Sequence, residues 1–201
     1  FKVWIAEKSL TSKKVHISVH GAHHSTALFN HAGRFTEVIS DTFFTWGWTE
    51  KVLPSSKLSE LRNNTFQYQK KMTEVKICFV AYSANKYSER ISSCPTSSNF
   101  IQSLDVQKRF FEHLKTERLS NITVRLKGRY KTWQLEHFYQ KLGVNKFSYP
   151  QTESLKRLAK GHNLFVFGYE STMFFEVMTL NIPSIIFFEE KFWRLNQMGR
   201  R

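Results

Sequence analysis

The stretch NLFVFGYESTMFFEVMTLNIPSIIFF, residues 163–188, places two apolar runs on either side of a polar turn and a helix-like segment. The runs "NLFVF" and "PSIIFF" are dominated by apolar residues, as strands are when both faces of a parallel sheet are covered. The residues between them, 171–181, have the length of a helix that connects two parallel strands. The stretch therefore predicts a strand–helix–strand unit, with the polar turn at the carboxyl end of its first strand.

The same order of strand and helix precedes this unit along the chain. Apolar runs predict strands at 75–82, 121–126 and 146–149, and periodic segments predict helices within 95–117, 133–143 and 152–161. Gly143 and Gly161 fit the ends of two of these helices. The alternation predicts an α/β fold, in which a Rossmann-like parallel sheet is flanked by helices.

The N-terminal third has a weaker pattern. The segments "VHISV" (15–19) and "DTFFTWGW" (41–48) predict strands, with a loop and a short helix between them. Pro54, Ser55, Ser56 and the polar residues after them predict a linker. We therefore expect a domain boundary near residue 72, which divides the chain into residues 1–72 and a Rossmann-like domain of residues 73–201. The first residue is Phe rather than Met, which indicates a processed chain or part of a longer one.

The composition favours anionic partners. The chain has 30 Lys and Arg against 16 Asp and Glu, a formal net charge of +14. Nucleic acid, nucleotide phosphates and an acidic membrane surface all fit that charge. The basic residues are dispersed, however, without the run of five or six that marks a nucleic-acid-binding arm. Nucleic acid is therefore the less favoured partner.

The cysteines and the apolar runs indicate a compartment. Two cysteines do not form a disulfide framework, and Cys78 lies within an apolar strand as a buried thiol. A reducing cytoplasm is the expected compartment. No apolar run approaches the roughly 18 residues that a membrane-spanning helix needs.

The polar turn after "NLFVF" is a candidate ligand site, because open parallel sheets bind ligands beyond the carboxyl ends of their strands. Gly168 lets the backbone turn closely, and Ser171 or Thr172 caps the next helix. The first N–H groups of that helix have no internal partner and favour a phosphate. Glu176, about one turn further on, can accept hydrogen bonds from sugar hydroxyls. Helix capping alone also accounts for Ser171 and Thr172.

These residues resemble the signature of a bacterial surface-carbohydrate biosynthesis transferase family. The matching positions are Ser171, Thr172, Phe174, Glu176, Asn181, Ile182 and Pro183. Three further motifs follow the family's order upstream: "HGAHHS" at 20–25, "ISDTFFTWGW" at 39–48, and a strand that ends at 124–126. The family in turn resembles the GT-B glycosyltransferases and, more distantly, the transferases of capsule and teichoic-acid polymers.

The resemblance implies two Rossmann-like domains that face a cleft, with the donor held mainly by the C-terminal one. Residues 73–201 would form that donor-binding domain, and residues 1–72 the tail of the N-terminal, acceptor-side domain plus the linker. The implied activity transfers a sugar, or a related unit, from a nucleotide-activated donor to a glycan or lipid-linked acceptor. It needs no metal or bound cofactor and takes place in the cytoplasm or at the anionic inner face of the membrane. A basic nucleic-acid-binding module and a non-catalytic nucleotide-binding fragment remain as alternatives.

The resemblance also implies roles for individual residues on the donor side. Donor-binding positions are Arg125, Gly168, Tyr169, Ser171, Thr172 and Glu176. Arg125 would neutralise the leaving phosphate, although an ordinary surface charge is an equally good explanation of it. Glu170 departs from the family, which often has Asn there. Because a carboxylate repels an anionic donor, Glu170 either faces away or indicates a different donor.

On the other side of the cleft, His20 is the candidate general base, since histidine titrates near neutral pH. Gly21 and Asp41 are further candidates for the cleft. The loop "HGAHHS" departs from the glycine-rich loop that the family more often shows. Its histidines lack the converging ligand set of a zinc site, so no metal is expected. Trp46 and Trp48 favour packing over stacking on a sugar.

Overall fold

The computed structural model describes residues 2–11, 13–21, 23–45, 55–57, 74–84, 87, 94–127, 133–197 and 199–200. Within these ranges the chain forms two parallel sheets, one with five strands and one with three.

The larger sheet follows the strand order of a Rossmann fold. In chain order its strands are β4 (Ile77–Val80), β5 (Ile122–Arg125), β6 (Lys146–Ser148), β7 (Leu164–Phe167) and β8 (Ser184–Ile186). In space they run β6-β5-β4-β7-β8, and every pair is parallel. Along the chain, β5 and β6 are added on one side of β4, and β7 and β8 are then added on its other side. This confirms the predicted α/β, Rossmann-like fold and places a topological switch point between β4 and β7.

Helices cover both faces of this sheet. In chain order they are α4 (Ser97–Glu112), α5 (Thr116–Leu119), α6 (Leu135–Lys141), α7 (Leu155–Gly161) and α8 (Thr172–Thr179). Alternation along β4 turns Phe79 towards a core that includes residues of α4 and α6, and turns Cys78 and Val80 towards a core with α7 and α8. All of β4 is buried, which explains its continuous apolar sequence.

The helix ends agree with the sequence signals. Gly143 follows α6 with a φ of 86°, a left-handed conformation that glycine adopts without strain. The helix α7 ends at Gly161, as predicted. Cys78 and Cys94 are free thiols, and Cys78 is buried.

The N-terminal region forms the smaller sheet. Its elements are α1 (Lys2–Leu10), β1 (His16–Ser18), α2 (His23–Thr26), α3 (His31–Val38), β2 (Thr42–Thr45) and β3 (Ser55–Lys57). The strands lie in the order β1-β2-β3 and are parallel. Residues 55–57 are a strand that pairs with β2, so the linker prediction was wrong for them. The rest of that linker, like Trp46, Gly47 and Trp48, lies outside the described residues.

The two regions are in contact through a small apolar cluster and through the segment 194–196. Val19 and Phe43 pack on Phe175 of α8. The segment 194–196 returns to residues 26–28: Leu28 N–H donates to the Arg194 carbonyl at 2.8 Å, and Asn196 N–H donates to the Thr26 carbonyl at 2.8 Å. The division of the chain near residue 72 remains a prediction.

Candidate active-site cleft

A cleft of about 460 Å³ opens at the switch point of the larger sheet. One wall comes from the carboxyl ends of β4 and β5 and from the turn between β7 and α8. The other wall comes from the loop after β1 and from α2. Seven predicted site residues line it: His20, Gly21, Arg125, Tyr169, Ser171, Thr172 and Glu176. The structure therefore brings together residues from three of the four sequence motifs.

The start of α8 forms the centre of the first wall. Ser171 has an extended backbone and caps the helix, its hydroxyl accepting a hydrogen bond from the Met173 N–H at 3.2 Å. The N–H of Phe174 donates to the Ser171 carbonyl at 3.0 Å. The N–H of Thr172 has no acceptor among the described residues. Ser171 is only 7% exposed and its hydroxyl serves as a helix cap, so among the described residues the N–H of Thr172 is the group at this helix start that remains without an acceptor.

Two glycines allow the close approaches that shape the cleft. A Cβ on Gly21 would lie 2.5 Å from the Thr172 hydroxyl oxygen, so only glycine lets this loop touch the start of α8. A Cβ on Gly168 would lie 3.2 Å from side-chain atoms of Phe79 and Gln107. Gly168 thus packs against Phe79 and Gln107 and is not among the residues that line the cleft.

Arg125 is the last residue of β5 and lines the cleft. Its guanidinium donates to the Ser148 hydroxyl and to the Glu153 carbonyl, each at 3.1 Å. Burial lowers the pKa of Arg125, and the negative charges of Glu153 and Glu176 oppose that effect. Arginine nevertheless stays protonated. Among the described residues no carboxylate pairs with it, so a fixed positive charge with neutral hydrogen-bond partners faces the cleft.

Tyr169 contributes an aromatic side chain beside that charge. Burial raises the pKa of Tyr169, against the opposing effects of a hydrogen bond with Ser171 and of the Arg125 charge. The phenol is therefore a neutral hydrogen-bonding group. Its ring lies 5.2 Å from that of Tyr82 and 5.7 Å from that of Trp193, and these neighbours restrict its orientation.

Glu170 lines the cleft and directs its carboxylate at α2. One carboxylate oxygen lies 3.4 Å from Nδ1 of His23, and the other accepts a hydrogen bond from the Thr26 hydroxyl. Glu170, the residue that departs from the family pattern, thus connects the turn before α8 to α2. Its negative charge is directed at α2 and not at the start of α8.

Asp41 lies away from the cleft. Its carboxylate accepts a hydrogen bond from the Val15 N–H at 2.7 Å. Because β1 and β2 are parallel, with His16 opposite Thr42, Asp41 sits at the amino edge of the smaller sheet, while His20 leaves its carboxyl edge. Asp41 is not among the residues that line the cleft.

Some lining residues were not predicted from the sequence. They include His23, His24, Lys127 and Met173. The histidines belong to the "HGAHHS" motif, and Lys127 comes two residues after Arg125. Their closeness in sequence to predicted site residues was the signal that could have identified them. In the described part of the chain, no group of three or more His, Cys, Asp or Glu residues converges as metal ligands do. No helix there is long and apolar enough to span a bilayer.

In open α/β sheets, ligands bind in the crevice at the switch point, which is where this cleft lies. A protein-family model described as LIC12162 family transferase matches residues 1–200. The chain belongs to this family of transferases, which confirms the predicted class of activity. No curated protein and no solved structure matches the chain.

Proposed function

We propose that the cleft binds a nucleotide-activated sugar, and that the protein transfers the sugar to a surface glycan or a lipid-linked acceptor in the manner of a GT-B glycosyltransferase. The observation that carries this proposal is the arrangement of Arg125 and the start of α8 on one wall, opposite a histidine-bearing loop on the other.

The first wall fits the phosphates of such a donor. The unpartnered N–H of Thr172 and the positive end of the α8 dipole favour an anion. Arg125 supplies a full positive charge that no described carboxylate neutralises. Hydrogen bonds to charged groups contribute about 1.5–3 kcal/mol each, so these groups together provide a sizeable preference for phosphate.

The rest of the cleft fits the sugar. Glu176 lies one helical turn beyond Thr172, where its carboxylate accepts hydrogen bonds from hydroxyls on the sugar or ribose. The cleft volume of about 460 Å³ falls within the range of roughly 300–1,000 Å³ that is usual for small-molecule sites. The carboxylate of Glu170 is engaged with His23 and Thr26 of α2, which leaves the start of α8 to the donor phosphates.

In the proposed reaction the acceptor hydroxyl attacks the anomeric carbon of the sugar as the bond to the nucleotide phosphate breaks. Arg125 and the start of α8 stabilise the charge that develops on the leaving phosphate. The loop that carries His20 supplies the base for the acceptor proton. These groups perform the transfer without a metal ion, and the reaction occurs in the cytoplasm or at the anionic inner face of the membrane.

Isothermal titration calorimetry tests the proposal with UDP-, CMP-, CDP- and GDP-linked sugars, with DNA as the comparator. One class of nucleotide-sugar should bind, and Arg125→Met and Thr172→Pro should each weaken it about tenfold or more, because each removes a phosphate-binding group. Proline suits the first position of a helix and removes the N–H together with the Thr172 hydroxyl.

Matched controls separate binding from stability. Asn30→Ala removes the cap of α3, whose side chain accepts from the Gly33 N–H at 2.9 Å, and should leave donor affinity unchanged. Steeply salt-dependent DNA binding without any response to nucleotide-sugars would contradict the proposal and favour a nucleic-acid-binding module.

A further inference from the structure

We infer that His23, positioned by Glu170, is the general base of the cleft, in place of the His20 singled out by sequence. This inference rests on the proposed function, because the proton that His23 accepts is that of the acceptor hydroxyl. His23 and Glu170 both line the cleft, and they come from opposite walls.

The contact with Glu170 determines which ring nitrogen of His23 is protonated. Nδ1 lies 3.4 Å from the Glu170 carboxylate. An ionised carboxylate only accepts hydrogen bonds, so Nδ1 is the nitrogen that carries the proton in the neutral ring. The lone pair then lies on Nε2, the nitrogen available to accept a proton.

Nε2 of His23 is buried and has no hydrogen-bond partner among the described residues. Buried polar atoms without a partner are rare in folded proteins, and each needs an explanation. A substrate hydroxyl, donating its hydrogen to Nε2, provides one. In that complex the 3.4 Å contact on the other side of the ring also shortens, as catalytic hydrogen bonds commonly do when substrate binds.

The surroundings hold both members of the pair in place. The Thr26 hydroxyl donates to the other oxygen of Glu170, which fixes the orientation of the carboxylate. The ring of Trp193 meets the imidazole edge-on, with centroids 5.6 Å apart. Trp193 is itself only 3% exposed and packs on Tyr82 at 4.7 Å. The imidazole is thus oriented before any substrate arrives.

His20 lacks this support. It is exposed, and its ring contact is with His24, at 5.5 Å between centroids. Among the described residues no carboxylate forms an ion pair with His20. An exposed histidine without an orienting partner has no fixed ring orientation, whereas Glu170 orients the ring of His23 and selects its Nδ1–H tautomer.

In the transfer step, the acceptor oxygen forms its bond to the anomeric carbon while the bond from that carbon to the donor phosphate oxygen breaks. The phosphate leaves with the bonding electron pair, and the hydroxyl proton passes to Nε2 of His23. Glu170 stabilises the resulting imidazolium, which later releases its proton to water. His23 is thus a catalytic residue, and Glu170 is a positioning residue.

Nitrogen-15 NMR of the histidine side chains tests the pair without any donor. Well above the ordinary histidine pKa, His23 in the wild-type protein should show the tautomer with hydrogen on Nδ1. In Glu170→Gln, the amide oxygen remains on the Thr26 hydroxyl and the NH₂ group turns towards Nδ1, so the hydrogen should move to Nε2. An Nε2–H tautomer in the wild type would overturn the inference.

Turnover with the donor identified by calorimetry provides the second test. His23→Gln should lower kcat by about 10²–10⁴-fold with donor affinity unchanged. Glu170→Gln should lower kcat with little change in KM, since it leaves the base in the wrong tautomer. His31→Gln, an exposed position at the start of α3, is the matched control and should be fully active.

The outcomes separate the two proposals. Full turnover by His23→Gln, or a loss confined to His20→Gln, overturns the assignment of the base and leaves the transferase proposal intact. If the wild-type protein binds no nucleotide-sugar, the proposed function is overturned. The assignment of His23 as its base is then overturned as well.

Discussion

The two sheets are built in different ways. In the five-stranded sheet, all four residues of β4 are buried, between one apolar core on each face. In the three-stranded sheet, β1 has two exposed residues and one half-buried residue, and Val19 and Phe43 form the small core described there. The cleft needs both sheets, yet most of the described core lies in one of them. We conclude that the larger sheet provides a rigid wall and that specific contacts hold the smaller one against it.

The largest expected effect comes from the core of the larger sheet. Phe79 is fully buried and contacts the rings of Phe111 and Tyr139, so Phe79→Ala should cost about 3–5 kcal/mol of unfolding free energy. Phe43→Ala, at the corresponding place in the smaller sheet, should cost about 1–2 kcal/mol, because its site is less enclosed. Urea denaturation measures both. Equal losses would contradict the difference between the sheets.

The buried thiol of the larger sheet should produce an alkaline instability. Burial raises the pKa of Cys78 from 9.0 to about 12. Between these values the unfolded chain binds fewer protons than the folded one, so the free energy of unfolding should fall as pH rises from about 9 towards 12, by a few kcal/mol. Below pH 9 this contribution is fully present.

Denaturation at several pH values, in wild type and in Cys78→Ala, measures that contribution. The variant should lose part of the alkaline slope, although the substitution also lowers stability at neutral pH. Cys94→Ala is the control and should keep the wild-type slope. An unchanged slope in Cys78→Ala would mean that the thiol is not protected by the sheet.

A smaller effect is expected where the two walls touch. Gly21→Ala should cost about 1–3 kcal/mol, since the new methyl group would collide with the Thr172 hydroxyl. Thr172→Ala removes that atom, so the double variant should recover most of the loss. Gly161→Ala meets nothing within 4 Å and should be neutral or slightly stabilising. Additive losses in the double variant would show that the loop and α8 do not touch.

The smallest expected effects come from the helix caps. Ser171→Ala and Asn30→Ala each remove a side-chain cap and should each cost about 1 kcal/mol. Hydrogen exchange should distinguish them: Asn30→Ala should speed exchange in the smaller sheet alone, whereas Ser171→Ala should affect both sides of the cleft. Identical exchange patterns would indicate that the two sheets open as one unit.

The sequence predicted the larger sheet because strands buried on both faces leave continuous apolar runs, as in β4 and β7. The elements it did not predict lack that signal. The helix α1 has one buried residue, Ile5, so its pattern is almost entirely that of an exposed segment. The strand β3, "SSK", is polar and short, and its pairing with β2 is a tertiary effect that local propensity does not contain.

In the cleft, too, the sequence predicted the residues that carry a local signal and missed a contact that depends on the fold. Ser171 and Thr172 follow a strand, and the rule that ligands gather at the carboxyl ends of parallel strands was enough to single them out. Arg125 was added by the family resemblance. Asp41 precedes its strand, and the rule does not apply there. The contact between His23 and Glu170 joins positions 147 residues apart. Glu170 stood out as a departure from the family and His23 lay within a quoted motif, but only the folded chain brings them together.

The bridge between Ala27 and Leu195 bears on the order of events during synthesis. Residues 74–190 leave the ribosome before the segment 194–196, and the larger sheet needs none of the later residues for its strand pairing. Residues 26–28 precede that sheet in the chain, whereas their backbone partners in 194–196 follow it. The wall built on the larger sheet can therefore form first, and the contacts with 194–196 that hold the opposite wall against it form later.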